Sequence, residues 1–121
     1  MSTGHRGSLS TGHSDSPRDM LRRLETMVLM GMDIPLAAIQ RQIASAIDII
    51  IHVGRLRDRS RKVLEIVEVL DYEDGEIQTG CLYEFQETKC RRTDGVIEGR
   101  WQKCRALLHT EKLLSAGYQT P

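Results

Sequence analysis

Apolar residues recur every three or four positions in two stretches near the N-terminus, and this spacing predicts two amphipathic helices. Ser16 followed by Pro17 is a typical helix start, with Asp19 completing a capping box, and Gly31 is a typical stop. The first stripe consists of Met20, Leu21, Leu24, Met27 and Val28, and the second, after Pro35, of Leu36, Ile39, Ile43, Ala46 and Ile47. Both helices are expected to bury their stripes against a shared surface.

After the second helix the pattern becomes that of β-strands. The β-branched run at residues 49–53 predicts a buried strand. Residues 62–70 mix apolar residues with Glu65 and Glu68, which predicts a half-exposed strand. Residues 57–60 are the expected hairpin between the two strands.

Two Asp-Gly pairs predict further turns in the second half of the chain. Asp74-Gly75 precedes residues 77–85, where apolar and polar residues alternate as in a strand. Asp94-Gly95 leads into another strand at residues 96–101. A leucine-rich segment that stops before Gly117 predicts a short final helix.

These elements predict an α+β fold. Two N-terminal helices pack with an antiparallel meander of about four strands, and a short C-terminal helix follows. Residues 1–14 are rich in Gly, Ser, Thr and His, so we expect a flexible or strand-like arm there. Residues 15–121 are expected to form a single α+β domain.

The charge balance narrows the functions that the chain can have. Seventeen basic and seventeen acidic residues leave no net charge, which argues against a nucleic-acid partner. No apolar run approaches the ~20 residues of a membrane span, and no apolar signal core opens the chain. Three cysteines without a C-x-x-C pair predict neither a zinc nor a redox site and fit a reducing cytoplasm.

Several short motifs occur together in one order. Residues 3–13 read TGHRGSLSTGH, residues 16–27 read SPRDMLRRLETM, and IPL, IASAID and RLRD follow at residues 34–36, 43–48 and 55–58. The first motif resembles the His box of type II and type IV secretion traffic ATPases, T-G-H-x-G-S-x-x-T-x-H. The whole series is similar to the tight-adherence (Flp) pilus assembly ATPases over nearly two thirds of the chain.

This resemblance implies the C-terminal piece of a RecA-like P-loop ATPase domain. Such proteins form hexameric rings that are cytoplasmic and peripheral to the inner membrane. They couple hydrolysis of ATP, with magnesium, to pilus assembly or protein export, so the implied partners are further copies in the ring and an inner-membrane platform protein.

The chain lacks the P-loop pattern G-x-x-x-x-G-K-[ST], which supplies the phosphate cradle and a magnesium ligand. We expect the P-loop upstream of Met1. The chain alone is therefore expected to hold no cofactor and to be inactive.

The resemblance also implies roles for two histidines. The His box would lie beside the γ-phosphate in the whole protein, with His13 as the first candidate and His5 as the second. His13 is the expected coupling residue because it ends the His box directly before the first helix. The residues alone are more typical of a mobile, solvated Gly/Ser-rich arm. A metal site at this pair is disfavoured, because eight residues separate the two histidines and no helix would place them on one face.

Alternating arginines mark the expected first hairpin. Arg55, Arg57 and Arg61 are candidate subunit-interface residues, since a motor ring needs a cation that reaches the neighbouring subunit's phosphate. The same alternation is typical of a solvated hairpin face. Two positions depart from the family pattern: Ser14-Asp15 replaces Ala-Asn, and Arg59 stands where the hairpin usually has Gly.

A second function class stays open at this stage. The chain could be a free-standing interaction module without catalytic activity that binds a partner through its charged hairpins. An upstream reading frame that carries a P-loop would distinguish the ATPase hypothesis from this one.

Overall fold

The computed structural model describes residues 7–90 and 97–119. It contains α1 (Pro17–Gly31), α2 (Leu36–Ala46), β1 (Ile49–Arg55), β2 (Arg61–Glu73), β3 (Glu76–Cys90), β4 (Ile97–Lys103) and α3 (Glu111–Ser115). The strands form one antiparallel sheet in the order β1-β2-β3-β4, so each strand pairs with its sequence neighbour. This confirms an α+β fold with two N-terminal helices and a four-stranded sheet.

The chain divides into two compact units. The first contains residues 7–50 and 69–80, and the second contains residues 51–68, 81–90 and 97–119. Strands β2 and β3 therefore contribute residues to both units.

Helix α1 begins and ends where the sequence predicts. The Ser16 side chain accepts a hydrogen bond from the Asp19 N–H at 3.0 Å, and Pro17 occupies the first turn. The Asp19 carboxylate reaches back to the N–H of Asp15 at 3.3 Å, one residue before the N-cap. These contacts satisfy two backbone donors at the start of the helix.

The core of the first unit lies between the two helices and the sheet. Its buried members are Leu21, Ile39, Ile43, Val69 and Ile77. Partly buried Leu24 and Val28 pack against them, which confirms the shared helix surface. The buried Gln40 amide donates to the Gly75 carbonyl at 3.1 Å and to the Glu25 carboxylate at 3.3 Å. A polar group is thus buried in this unit with its hydrogen bonds made.

The turn between β2 and β3 is a two-residue hairpin. Asp74 and Gly75 both have positive φ, 51° and 82°, as a type I′ turn requires. Asp tolerates this conformation and Gly adopts it freely, so the predicted turn is confirmed. The predicted Asp94-Gly95 turn lies outside the described residues.

The sequence predicts a buried strand at residues 49–53, but β1 is covered on one face only. Ile49, Ile51 and Val53 are 40%, 58% and 55% exposed, whereas Ile50 and His52 between them are half-buried. Strand β1 lies at the edge of the sheet order, and only one of its faces is covered. The continuous apolar run suggested a strand that is covered on both faces. The pattern of apolar residues alone cannot distinguish such a strand from one that is covered on a single face.

In the second unit, β3 and β4 pair through an aromatic contact. Phe85 lies opposite Trp101, with ring centroids 5.4 Å apart and the ring planes at 60°. The Trp101 indole N–H donates to the Val63 carbonyl at 2.6 Å, which ties β4 to β2. This tilted ring contact and the indole hydrogen bond fix the position of β4.

Helix α3 is shorter than the leucine-rich segment suggested. It contains five residues, Glu111–Ser115, so Leu107 and Leu108 precede it. Its end is confirmed: the Gly117 N–H donates to the Leu114 carbonyl, and Gly117 has a φ of 85°.

The hairpin at residues 57–60 is confirmed, and Arg59 adopts an unusual backbone conformation there. The Leu56 N–H donates to the Ser60 carbonyl at 2.8 Å, and Arg59 has a φ of 67°. A Cβ in this left-handed region costs about 1–2 kcal/mol. Arg59, one of the two departures from the pattern of the resembled family, therefore has a conformation that favours glycine.

We expect Arg59→Gly to raise the free energy of unfolding by roughly 0.5–1 kcal/mol, because glycine removes this strain but gains freedom in the unfolded chain. Chemical denaturation would measure the change. The matched control is Arg61→Gly in β2, which should lower stability by roughly 0.5–1 kcal/mol. Equal losses in both variants would contradict the strain at Arg59.

Candidate functional site

The arm before α1 is held against the helix by a short series of polar contacts. The Arg23 guanidinium donates to the His13 carbonyl at 3.0 Å and pairs with the Asp19 carboxylate at 3.3 Å. The Ser14 hydroxyl donates to the Ser16 carbonyl at 2.9 Å. His13 therefore has a defined backbone position at the N-terminal end of α1, although residues 7–14 form neither helix nor strand.

Gly12 lets the arm approach the helix closely. A Cβ at this position would collide with the end of the Met20 side chain. Because that end is flexible, an alanine could be accommodated if Met20 moved. The contact shows that the arm packs on α1 at Gly12 as well as at His13.

An open groove of about 650 Å³ runs between the arm and α1. It is lined by Thr11, Gly12 and His13 from the arm and by residues of α1 that include Met20, Arg22, Arg23 and Met27. His13, Arg22 and Arg23 are exposed, and so is Met27, which the sequence placed in the core. The groove thus presents an imidazole and two guanidinium groups, with Asp19 as the carboxylate that pairs with Arg23.

The other proposed histidine, His5, lies outside the described residues. Nothing in the structure therefore tests whether the two histidines act together. Exposed guanidinium and imidazole groups are hydrogen-bond donors suited to phosphate oxygens, and a groove with these donors can contact a phosphate group that another element holds.

The candidate interface arginines belong to the second unit, whereas His13 belongs to the first. Arg55, Arg57 and Arg61 are all exposed. Arg57 pairs with Glu87 of β3 at 2.8 Å, so its charge is already partnered within the chain. Exposed pairs of this kind stabilise a fold only weakly.

Asp58 organises the tip of the arginine hairpin. Its carboxylate accepts hydrogen bonds from the backbone N–H groups of Ile97 and Ser60, both at 2.9 Å, and from the Ser60 hydroxyl. The Ile97 N–H, followed by the Ser60 groups, lowers the pKa of Asp58 to about 2. The carboxylate is therefore charged at neutral pH and connects the hairpin to the start of β4.

Glu68 is a buried carboxylate that the sequence placed on a half-exposed strand. Its side chain is 2% exposed and accepts hydrogen bonds from the N–H groups of Leu108 and His109, at 3.0 and 2.9 Å. The Arg105 guanidinium pairs with it at 3.2 Å. Burial by itself would raise the pKa of Glu68, but these donors outweigh it and the pKa is lowered.

The one sequence signal that Glu68 is a buried acceptor was its position between two valines, Val67 and Val69, which are both buried in the structure. A carboxylate inside an apolar run is buried only when donors reach it. Those donors come from about forty residues further along the chain. A pattern confined to β2 could not identify them.

Two of the three cysteines, for which the sequence predicts neither a zinc nor a redox site, lie close together. The Cys81 and Cys104 sulfur atoms are 2.9 Å apart. With Glu84, they form a group whose possible metal-ligating atoms all lie within 4.8 Å of one another. The prediction of no metal or redox site rested on the lack of a C-x-x-C pair, and strand pairing brings these thiols together instead.

Comparisons with known proteins give a partial match. No protein-family model matches the chain. Over 78 residues, 64% of the chain, it is 33% identical to a Mycobacterium tuberculosis protein from strain CDC 1551 / Oshkosh and to one from strain ATCC 25618 / H37Rv. Both bear the name of a conjugal transfer protein, given provisionally. The chain spans 22% of the length of these relatives, so the match concerns only a part of each.

Within the described part of the chain, none of the helices is long and apolar enough to cross a membrane.

Proposed function

We propose that the chain is the C-terminal portion of a secretion or conjugal-transfer motor ATPase whose P-loop lies in the upstream part of the same protein. The observation that carries this proposal is the 78-residue match to the two proteins named for conjugal transfer. The His-box motif at residues 3–13 supports the further proposal that this protein is a motor ATPase. An α+β unit that begins with two helices is compatible with a piece of a RecA-like domain.

In this proposal the groove beside α1 faces the terminal phosphate of a bound nucleotide. His13 presents its imidazole from a backbone position that Arg23 holds. Arg22 contributes a second exposed cation at the groove. These groups can sense whether a phosphate is present, because hydrogen bonds from charged donors to phosphate are the strong ones.

The nucleotide itself must be held by other residues. ATP with magnesium supplies the energy-releasing phosphoryl transfer, and its binding requires a phosphate cradle that this sequence lacks. The chain's own contribution is to orient His13 and to transmit movement through α1. The chain alone is proposed to be inactive.

Contacts between copies form the second part of the proposal. Arg55 and Arg61 are exposed on either side of the hairpin and are the better candidates to reach a neighbouring subunit. Arg57 is the weaker candidate, because Glu87 already holds it. A ring places one subunit's cation near the next subunit's nucleotide, where it stabilises charge in the transition state.

The proposal is tested by combining the chain with the upstream, P-loop-bearing part of the same ATPase, supplied as a separate chain. We expect His13→Ala to lower the turnover of the combined enzyme by roughly 100-fold and to change its KM for ATP by less than about 3-fold, because a sensor acts after binding. Steady-state phosphate release would measure both constants.

His109→Ala is the matched control for this test. His109 is also exposed but does not line the groove, and alanine keeps the backbone N–H that donates to Glu68, so the control should keep wild-type turnover. Wild-type turnover in both variants would contradict the sensor role of His13. A failure of the chain to stimulate hydrolysis at all would favour the free-standing interaction module.

A further inference from the structure

The Cys81–Cys104 pair lies where β3 meets the segment that follows β4. Cys81 belongs to β3, and Cys104 comes directly after the last residue of β4. The Cys104 N–H donates to the carbonyl of Leu82 at 2.7 Å, which anchors the second cysteine beside the first. The two sulfur atoms are 2.9 Å apart, although the residues are 23 positions apart in the sequence.

The two thiols differ in their access to solvent. Cys104 is exposed, whereas Cys81 is half-buried. Burial, followed by the hydrogen bond to Cys104 and the charges of Cys104, Glu84 and Glu65, raises the pKa of Cys81 to about 12. Cys104 is therefore the thiol that a reagent in solution meets first, and part of what keeps Cys81 protonated comes from Cys104 itself.

A shared metal ion is the competing explanation for this arrangement. Two thiolates on one tetrahedral Zn²⁺, with Zn–S distances of about 2.3 Å, lie about 3.8 Å apart. The observed sulfur atoms are closer than that. Among the described residues, the only further ligand in the group is the exposed Glu84, and structural zinc sites almost always have four protein ligands. The geometry favours a direct sulfur–sulfur bond.

We propose that Cys81 and Cys104 form a reversible disulfide by exchange with a low-molecular-weight disulfide. The Cys104 thiolate attacks one sulfur of the reagent, and the first thiolate leaves, so that a mixed disulfide remains on Cys104. Cys81 then loses its proton to solvent and attacks the Cys104 sulfur, which releases the second thiolate. The protein loses two electrons and two protons, and the reagent is reduced to two thiols.

The bond would act on the buried carboxylate nearby. Cys104 directly precedes Arg105, whose guanidinium pairs with Glu68, and the N–H groups of Leu108 and His109 complete that cluster. A disulfide would covalently fix the start of residues 104–109 to β3. Oxidation should therefore slow the local opening that exposes these amides, which is a redox control on the C-terminal segment.

The test uses the native wild-type chain and bis(2-hydroxyethyl) disulfide, which is uncharged and so avoids repulsion by Glu65 and Glu84. After exchange, free thiols are alkylated and the linkages are mapped by peptide mass spectrometry. We expect most molecules to carry a Cys81–Cys104 bond that dithiothreitol removes. Hydrogen exchange at Leu108 and His109 should slow by roughly 10-fold on oxidation.

A Cys90→Ser variant should behave like the wild type, and a Cys104→Ser variant should form no internal bond. Mixed adducts that persist on Cys104 in the wild-type chain would overturn the proposal, as would linkages that contain Cys90. Micromolar binding of Zn²⁺ alone that requires Cys81, Glu84 and Cys104 would also overturn it and would assign the cluster to a metal. The wild-type mapping does not depend on whether any variant folds.

Discussion

Ile39→Ala should lower the free energy of unfolding of the first unit by about 2–5 kcal/mol, the range for a buried isoleucine truncated to alanine in a core. Ile39 is completely buried on α2 and lies in the same cluster as Leu21, Ile43 and Val69. Removing its side chain leaves a cavity that helices and sheet can fill only in part. Chemical denaturation followed by helical circular dichroism would measure the loss.

Leu36→Ala is the matched control on the same helix. Leu36 is 44% exposed, so its truncation should cost less than about 1 kcal/mol. Similar losses in the two variants would show that the buried face of α2 has been assigned wrongly.

Glu68→Gln should destabilise the second unit by about 1–3 kcal/mol, because it removes the charge of a buried carboxylate and leaves the partly exposed Arg105 without its partner. The amide keeps the volume of the side chain but can accept fewer of the three hydrogen bonds. Hydrogen exchange should accelerate at Leu108 and His109, which donate to this carboxylate. Glu65→Gln on the same strand is the control, with an expected cost below about 1 kcal/mol.

The pH dependence of this effect follows from the lowered pKa of Glu68. The carboxylate stabilises the fold fully above its ordinary pKa of 4.5, and this contribution is lost as the pH falls through the lowered value in the folded chain. The difference between wild type and Glu68→Gln should therefore be constant near neutral pH and shrink on acidification. A difference that grows toward low pH would contradict the assigned direction.

The helices and turns could be predicted because their signals are local. Ser16 and Pro17 mark the start of α1 within a single turn, and Asp74-Gly75 specifies a type I′ turn by the conformations that these two residues tolerate. The hairpin at residues 57–60 could be found in the same way. Such features depend on neighbours only a few positions away.

The environment of each strand could not be predicted in this way. Whether Ile51 faces solvent depends on which strand lies at the sheet edge, and the sequence of β1 does not contain that information. Glu68 is buried because donors arrive from residues 105–109. Cys81 and Cys104 meet through the pairing of β3 with the end of β4. All three outcomes depend on contacts that are distant in sequence.

The candidate site shows the same division. The position of His13 before α1 follows from the motif, but its contact with Arg23 and the groove beside α1 required the structure. The role of His13 toward a nucleotide stays a prediction, and so do the interface roles of Arg55, Arg57 and Arg61.

Titration calorimetry with Mg-ATP tests most directly our proposal that these residues contribute to a motor without holding the nucleotide. We expect no site with a Kd below roughly 1 mM. A Kd of that size corresponds to a binding free energy of only about −4 kcal/mol, which loose charge contacts can provide. A micromolar site in the purified chain, with phosphate release that persists through repurification and disappears in His13→Ala, would contradict it and would make the chain an ATPase in its own right.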